Sequence, residues 1–223
     1  MKHWEKHFRY YDLFQTNYSK YISMLNFHSE AQKNSCLIVD SGAGTGNLTL
    51  KLLEDGHQII AIDNNEKALK ILKEKCKKYS NKLKVFKGDL NSKLIIDSNK
   101  VDGVTSSFVI PFINIDFYIS ENYRILKPGG CLSISMGLPK KGVINYVMDN
   151  LEIEVKRKRL LPKYEKEWKE LWKTSKKNEE EIMKKGLSEK EFIGLLKKNR
   201  FKKIVKSKIK PYDDFVLLVK CIK

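Results

Sequence analysis

Residues Val39 to Asn47 read Val-Asp-Ser-Gly-Ala-Gly-Thr-Gly-Asn, between an apolar run (Cys36 to Val39) and a helix-periodic stretch (Leu48 to Leu53). This order constrains the fold more than any other feature. A buried strand that turns sharply into a helix is the opening unit of a parallel α/β sheet. Glycines at 42, 44 and 46 carry no Cβ, so the backbone can turn tightly and approach a ligand closely. The helix beginning there directs unpaired N–H groups at whatever lies above the strand end. A second apolar strand, Gln58 to Ile62, ends in Asp63. A carboxylate at that place can accept hydrogen bonds from both hydroxyls of a ribose. The pattern predicts a nucleoside-binding site.

The glycine spacing narrows the choice of nucleoside. A dinucleotide fingerprint, Gly-x-Gly-x-x-Gly, counted from Gly42 would require a third glycine where Asn47 stands. The observed pattern is Asp-x-Gly-x-Gly-x-Gly, with Asp40 closing the strand. An acid there would repel a pyrophosphate and suits a ligand ammonium group. These residues resemble the class I S-adenosylmethionine (SAM) dependent methyltransferases. Gly42, Gly44 and Gly46 match the family's first motif, with Ala43 among them, and Asp63 with Asn64 its second.

Further elements follow in register. Leu83 to Leu90 reads as a third strand ending Gly-Asp-Leu, and the resemblance gives Asp89 and Leu90 the adenine. Val101 to Phe108 reads as a fourth strand, and Asp116 to Leu126 as a helix stopped by Lys127-Pro128-Gly129-Gly130. Cys131 to Met136 is the fifth strand. Ser188 with Glu191 forms a capping box, and Ile204 to Ile209 and Phe215 to Ile222 read as two last strands around a Pro211-Tyr212-Asp213-Asp214 turn. The alternation argues a doubly wound α/β fold. The resemblance implies a seven-stranded, mostly parallel Rossmann-like sheet in the order 3-2-1-4-5-7-6.

The expected organisation is one domain of four parts. Residues 1–34 form an N-terminal helical lid, 35–138 the SAM-binding core, 139–186 a helical substrate-recognition insertion, and 187–223 a helix and hairpin completing the core. No apolar run approaches membrane-spanning length, and no apolar segment of a secretory leader stands at the N-terminus. Four scattered cysteines without metal-ligand spacing fit reduced thiols in a cytoplasmic protein, so no metal site is expected. Oligomeric state is open between monomer and homodimer.

The net charge of +17 raises nucleic acid as a partner. Only five basic residues are arginines, however, and arginine is the preferred fork for phosphates. Residues 140–223 carry 25 basic and 13 acidic residues, a surplus that also suits a solvated lysine-rich face.

Three segments bear on the acceptor. His3, His7, Tyr10, Tyr11, Phe14, Tyr18 and Tyr21 share one helical face. The resemblance makes Tyr11 and Tyr18 candidate cofactor or lid contacts, whereas packing on the core is the competing use. Ser107 and Phe108 are expected to wall the cofactor pocket, with Phe112 beyond them facing substrate. The Asn/Asp-Pro-Pro-aromatic signature of adenine amino methyltransferases is missing there. Gly142 to Leu151 and Tyr164 to Trp172 have helical periodicity, broken at Pro162. Trp168 and Trp172 either line an acceptor pocket or anchor the insertion.

The expected activity is methyl transfer from SAM, with S-adenosylhomocysteine (SAH) as product, to oxygen, nitrogen or carbon of a small molecule. The alternatives are an RNA methyltransferase and a SAM-binding protein without catalysis; a nicotinamide dehydrogenase fits the glycine spacing poorly. A hydroxyl acceptor calls for a general base within hydrogen-bond reach, and His7, Tyr11 and Asp116 are the candidates by position.

Overall fold

The strand segments of the first two thirds of the chain lie side by side in a computed structural model that describes residues 11–223. They are β1 (Leu37–Ser41), β2 (Gln58–Asp63), β3 (Leu83–Lys87), β4 (Val101–Ser107) and β5 (Leu126–Gly137), all mutually parallel. The tail adds β6 (Lys202–Lys206) and β7 (Val216–Ile222), and β7 runs antiparallel to both β5 and β6. The sheet order is β3-β2-β1-β4-β5-β7-β6, a seven-stranded, mostly parallel sheet.

Period-two alternation divides each central strand between two helical layers. Ile38, Ile59 and Ala61 face α2 (Asn47–Glu54) and α3 (Glu66–Lys75), burying Leu48, Leu52, Leu69 and Leu72. Their neighbours Val39, Ile60 and Ile62 face the opposite layer, with Tyr118 and Ile119 of α4 (Ile115–Ile125) and Phe192 and Leu196 of α7 (Glu189–Lys198). Side-chain caps fix three helix starts. Asn65 accepts from the N–H groups of Lys67 and Ala68, Asn114 from that of Phe117, and Ser188 and Glu191 cap reciprocally. Each cap contributes about 1 kcal/mol.

A third apolar cluster joins Phe14, Tyr18 and Tyr21 to α5 (Val143–Arg157), α6 (Glu165–Lys185) and the start of β7. Helix α1 (Ser19–Ala31) is tied to the sheet through His28, whose Nδ1 lies 2.9 Å from the Ser133 hydroxyl. Just after it, Gln32 donates to the carbonyls of Val104 and Cys131. The glycine at 103 is required here, because a Cβ would lie 2.0 Å from Gln32 Oε1.

Three elements depart from the sequence reading. Helix α6 continues to Lys185, well past Trp172, since no glycine or proline interrupts it before Gly186. Strand β5 already pairs with β4 at Leu126, and Lys127 to Gly130 form an irregularity within it. No helix stands between β3 and β4. Residues 88–100 are rich in Asn, Asp and Ser, and Arg124 binds the carbonyls of Leu94 and Ile96 while Glu121 accepts from Leu94 N–H. Cys36 is exposed, whereas Cys76, Cys131 and Cys221 are buried. Among the described residues no helix is long and apolar enough to cross a membrane.

Candidate functional site

Strand order reverses between β1 and β4, and the carboxyl ends of parallel strands open a crevice at such a point. A cavity of about 550 Å³ lies there, within the range of small-molecule sites. Its floor comes from the loops after β1, β2, β3 and β4, and its roof from residues 11–21, α5 and α6.

The three loop glycines all have positive φ, at 79°, 53° and 84°, each for its own reason. A Cβ on Gly42 would stand 2.3 Å from Val109 Cγ2, and one on Gly46 would stand 2.5 Å from Leu72 Cγ. A Cβ on Gly44, which lines the cavity, would meet no atom within 4 Å. Gly44 N–H donates to Asp63 Oδ2 at 2.9 Å, and Asn65 N–H donates to Oδ1 at 2.8 Å. Burial raises the Asp63 pKa, and these N–H donors offset part of that rise. Asp40 is 2% exposed and its pKa is pushed up to about 6, chiefly by burial, against the Thr49 hydroxyl that donates to it at 2.6 Å. Asp89 Oδ1 accepts from both the backbone and the amide of Asn91. Asn64 and Leu90 complete this wall.

Three carboxylates thus face one cavity around a glycine cradle. A sulfonium nucleoside offers an ammonium, a ribose diol and an exocyclic amine, and this donor set matches three acceptors. The residues present fit SAM.

Residues 11–15 form a helical turn lying over the glycine loop. Asp12 fastens it: Thr45 Oγ1 and Asn47 Nδ2 donate to Oδ1 at 2.6 and 2.9 Å, and Lys75 Nζ pairs with Oδ2 at 2.7 Å. Tyr11 and Tyr21 meet edge-on at 5.8 Å, and Asn47 Nδ2 donates to Tyr21. Both tyrosines and Gln15 line the cavity. Gln15 is 8% exposed and its Oε1 has no hydrogen-bond partner.

On the far side stand Ser107, Phe108 and Phe112, with Tyr212 and Met148. Phe108 has φ 57°, a strained conformation for a bulky residue. Its ring meets that of Tyr212 edge-on at 6.1 Å.

Several expected site residues lie elsewhere. Tyr18 is fully buried against Tyr212 and does not line the cavity, because its helical face turns into the third cluster. Trp168 packs edge-on against Phe14 at 5.2 Å, and Trp172 joins the same cluster; neither lines the cavity. Gly46 caps α2 and packs on Leu72. Asp116 is exposed, pairs with Lys198 and does not line the cavity. His3, His7 and Tyr10 lie outside the described residues. Among those described, no histidine lines the cavity and no group of acidic, histidine or cysteine side chains could hold a metal ion. Sequence reasoning missed Gln15, Tyr21, Met148 and Tyr212 as wall residues. Tyr212 had the signal of a turn, and only tertiary packing brings it to β4.

Residues 38–130 match the family described as Methyltransferase domain. The chain is 34% identical over 102 residues to a demethylmenaquinone methyltransferase from Bacteroides fragilis, covering 44% of this chain and 41% of that protein. It is 40% identical over 60 residues to a ribosomal RNA small subunit methyltransferase from Arabidopsis thaliana, covering 26% and 17%. The chain therefore matches less than half the length of these curated relatives. A candidate S-adenosyl-L-methionine-dependent methyltransferase from Methanococcus maripaludis has the same fold at a TM-score of 0.63 and 18% identity, over 96% of this chain and 91% of that one.

Proposed function

We propose that this chain, whose residues 38–130 match the family described as Methyltransferase domain, is a class I SAM-dependent methyltransferase that methylates a small molecule and releases SAH. The observation that carries this reading is the convergence of Asp40, Asp63 and Asp89 on one cavity around the open cradle at Gly44. SAM, when bound, supplies an activated sulfonium methyl. The chain supplies position. Asp40 would receive the ammonium, Asp63, oriented by two backbone N–H donors, the ribose, and Asp89 with Leu90 the adenine. Tyr11 and Tyr21 close the site from above, and Ser107 and Phe108 shape the side where the acceptor must stand.

A small acceptor is supported by the cavity's volume of about 550 Å³ and by the α5 and α6 residues that line it beside the strand ends. Many lysines of the basic surface are also engaged locally, as in the i, i+4 pairs Lys156–Glu152, Lys169–Glu165 and Lys210–Asp214. The test incubates the protein and methyl-labelled SAM with the small-molecule fraction and, separately, the RNA fraction of a cell extract. Label in a small molecule supports the reading; label appearing only in RNA overturns it.

A further inference from the structure

We propose that the acceptor is a small hydroxylated aromatic ring, seated between Phe108 and helix α5. This rests on the methyl-transfer reading above and specifies its second ligand. The cavity changes character across the switch point. The wall built by the ends of β1, β2 and β3 carries all three carboxylates, whereas Phe108, Phe112, Ile144, Val147, Met148 and Tyr212 make the wall beyond β4. No described residue of that second wall is acidic. A cationic amine would lose its hydration there without a charge partner, which is costly, whereas an apolar ring gains by burial.

Two observations select an aromatic ring. Phe108 is held at φ 57°, a conformation that costs about 1–3 kcal/mol and persists only where the surroundings impose it. That conformation sets its ring at 84° to the ring of Tyr212, 6.1 Å away. Tyr212 is 2% exposed and also packed on Tyr18, so it backs Phe108, and Phe108 offers the ring on which an acceptor ring stacks or meets an edge. Polar residues line the same cavity: Ser107, Ser175, Lys185 and Gln15, whose buried amide oxygen is unsatisfied. A ring hydroxyl both donates and accepts, so it answers such groups. It also ionises near pH 10, several units below an aliphatic alcohol, and so asks less of a base. The ring oxygen releases its proton to water and bonds to the methyl carbon as the carbon–sulfur bond breaks, with that electron pair remaining on sulfur.

The test uses the full chain. Calorimetry first measures SAH binding; its absence would defeat the methyl-transfer reading itself. With SAH saturating, catechol and 2-naphthol are titrated beside 1,4-diaminobutane and an RNA 20-mer. Methyl-labelled SAM is then supplied with each compound. The phenols are expected to bind and to become O-methylated, and the diamine and RNA are not. Val147→Asp is expected to weaken phenol binding at least tenfold, and Val147→Ala less, with SAH affinity unchanged as the check on folding. SAH binding with no phenol binding or methylation, or methylation of the diamine or RNA, overturns the inference. Phenol binding indifferent to Val147→Asp overturns the seat assigned to it.

Discussion

Replacing Asp40 by Asn separates the cost of burying a carboxylate from the use made of it. Asp40 is 2% exposed, and burial outweighs the Thr49 hydrogen bond to lift its pKa from 3.8 to about 6. Two pH units correspond to about 3 kcal/mol at 1.36 kcal/mol each. The sign follows from the direction of the shift. A carboxylate whose folded pKa is raised imposes no penalty below its unfolded value of 3.8, a growing one up to pH 6, and the full penalty above. Asn is neutral throughout. At pH 8 the Asp40→Asn protein should therefore be more stable by up to about 3 kcal/mol, a rise of roughly 6–12 °C in Tm for a chain of this size. At pH 4 the two proteins should melt within about 1 kcal/mol of each other. The same change removes the charge assigned to an ammonium, so SAH should bind at least about tenfold more weakly at pH 8, a loss of about 1.4 kcal/mol. Thermal unfolding at both pH values, with and without SAH, measures everything needed. A variant that is less stable at pH 8, or that binds SAH as well as the parent, refutes the reasoning.

Other outcomes follow from the same structure. His28 is buried with its pKa lowered to about 3, so the unfolded chain takes up a proton below pH 6.5 that the fold refuses. Stability should fall by about 2 kcal/mol between pH 6.5 and 5 on this account, and urea unfolding of His28→Gln should lack that slope. Gly46→Ala should cost about 1–3 kcal/mol by driving a Cβ into Leu72, read as a lowered urea midpoint. Gly44→Ala should cost about 1–2 kcal/mol, because φ at that position is 53°, and should weaken SAH binding at least about tenfold, because the added methyl narrows the cavity that Gly44 lines. Lys75→Met should loosen the Asp12 fastening and raise the SAH dissociation rate in stopped flow, most at low salt. Unaltered kinetics would show that residues 11–15 do not gate release.

Much of this site was legible because local patterns set it. The glycine loop, Asp40, Asp63 and Asp89 each stand at the end of a strand whose apolar run is visible in sequence, and a parallel sheet brings such ends together. Positions reached through tertiary packing were not legible. Trp168 and Tyr18 bear the same aromatic signal as Tyr11, and only the docking of α6 on Phe14 and of Tyr212 on Tyr18 decides which are covered. Tyr212 lies in a Pro-Tyr-Asp-Asp turn more than a hundred residues from Phe108, and periodicity carries no information at that distance. The absent helix between β3 and β4 was written in the turn residues of 91–100, but its fixed shape depends on Arg124 and Glu121 of another element.

Calorimetric titration of SAH into the parent protein and into Asp63→Asn, with NAD in parallel, reads the cofactor site itself. Asp63 is oriented by Gly44 and Asn65 toward the cavity, so the account predicts micromolar SAH binding, at least about tenfold weaker in the variant, and no NAD binding. Failure of SAH to bind the parent, or binding indifferent to Asp63→Asn, would contradict it.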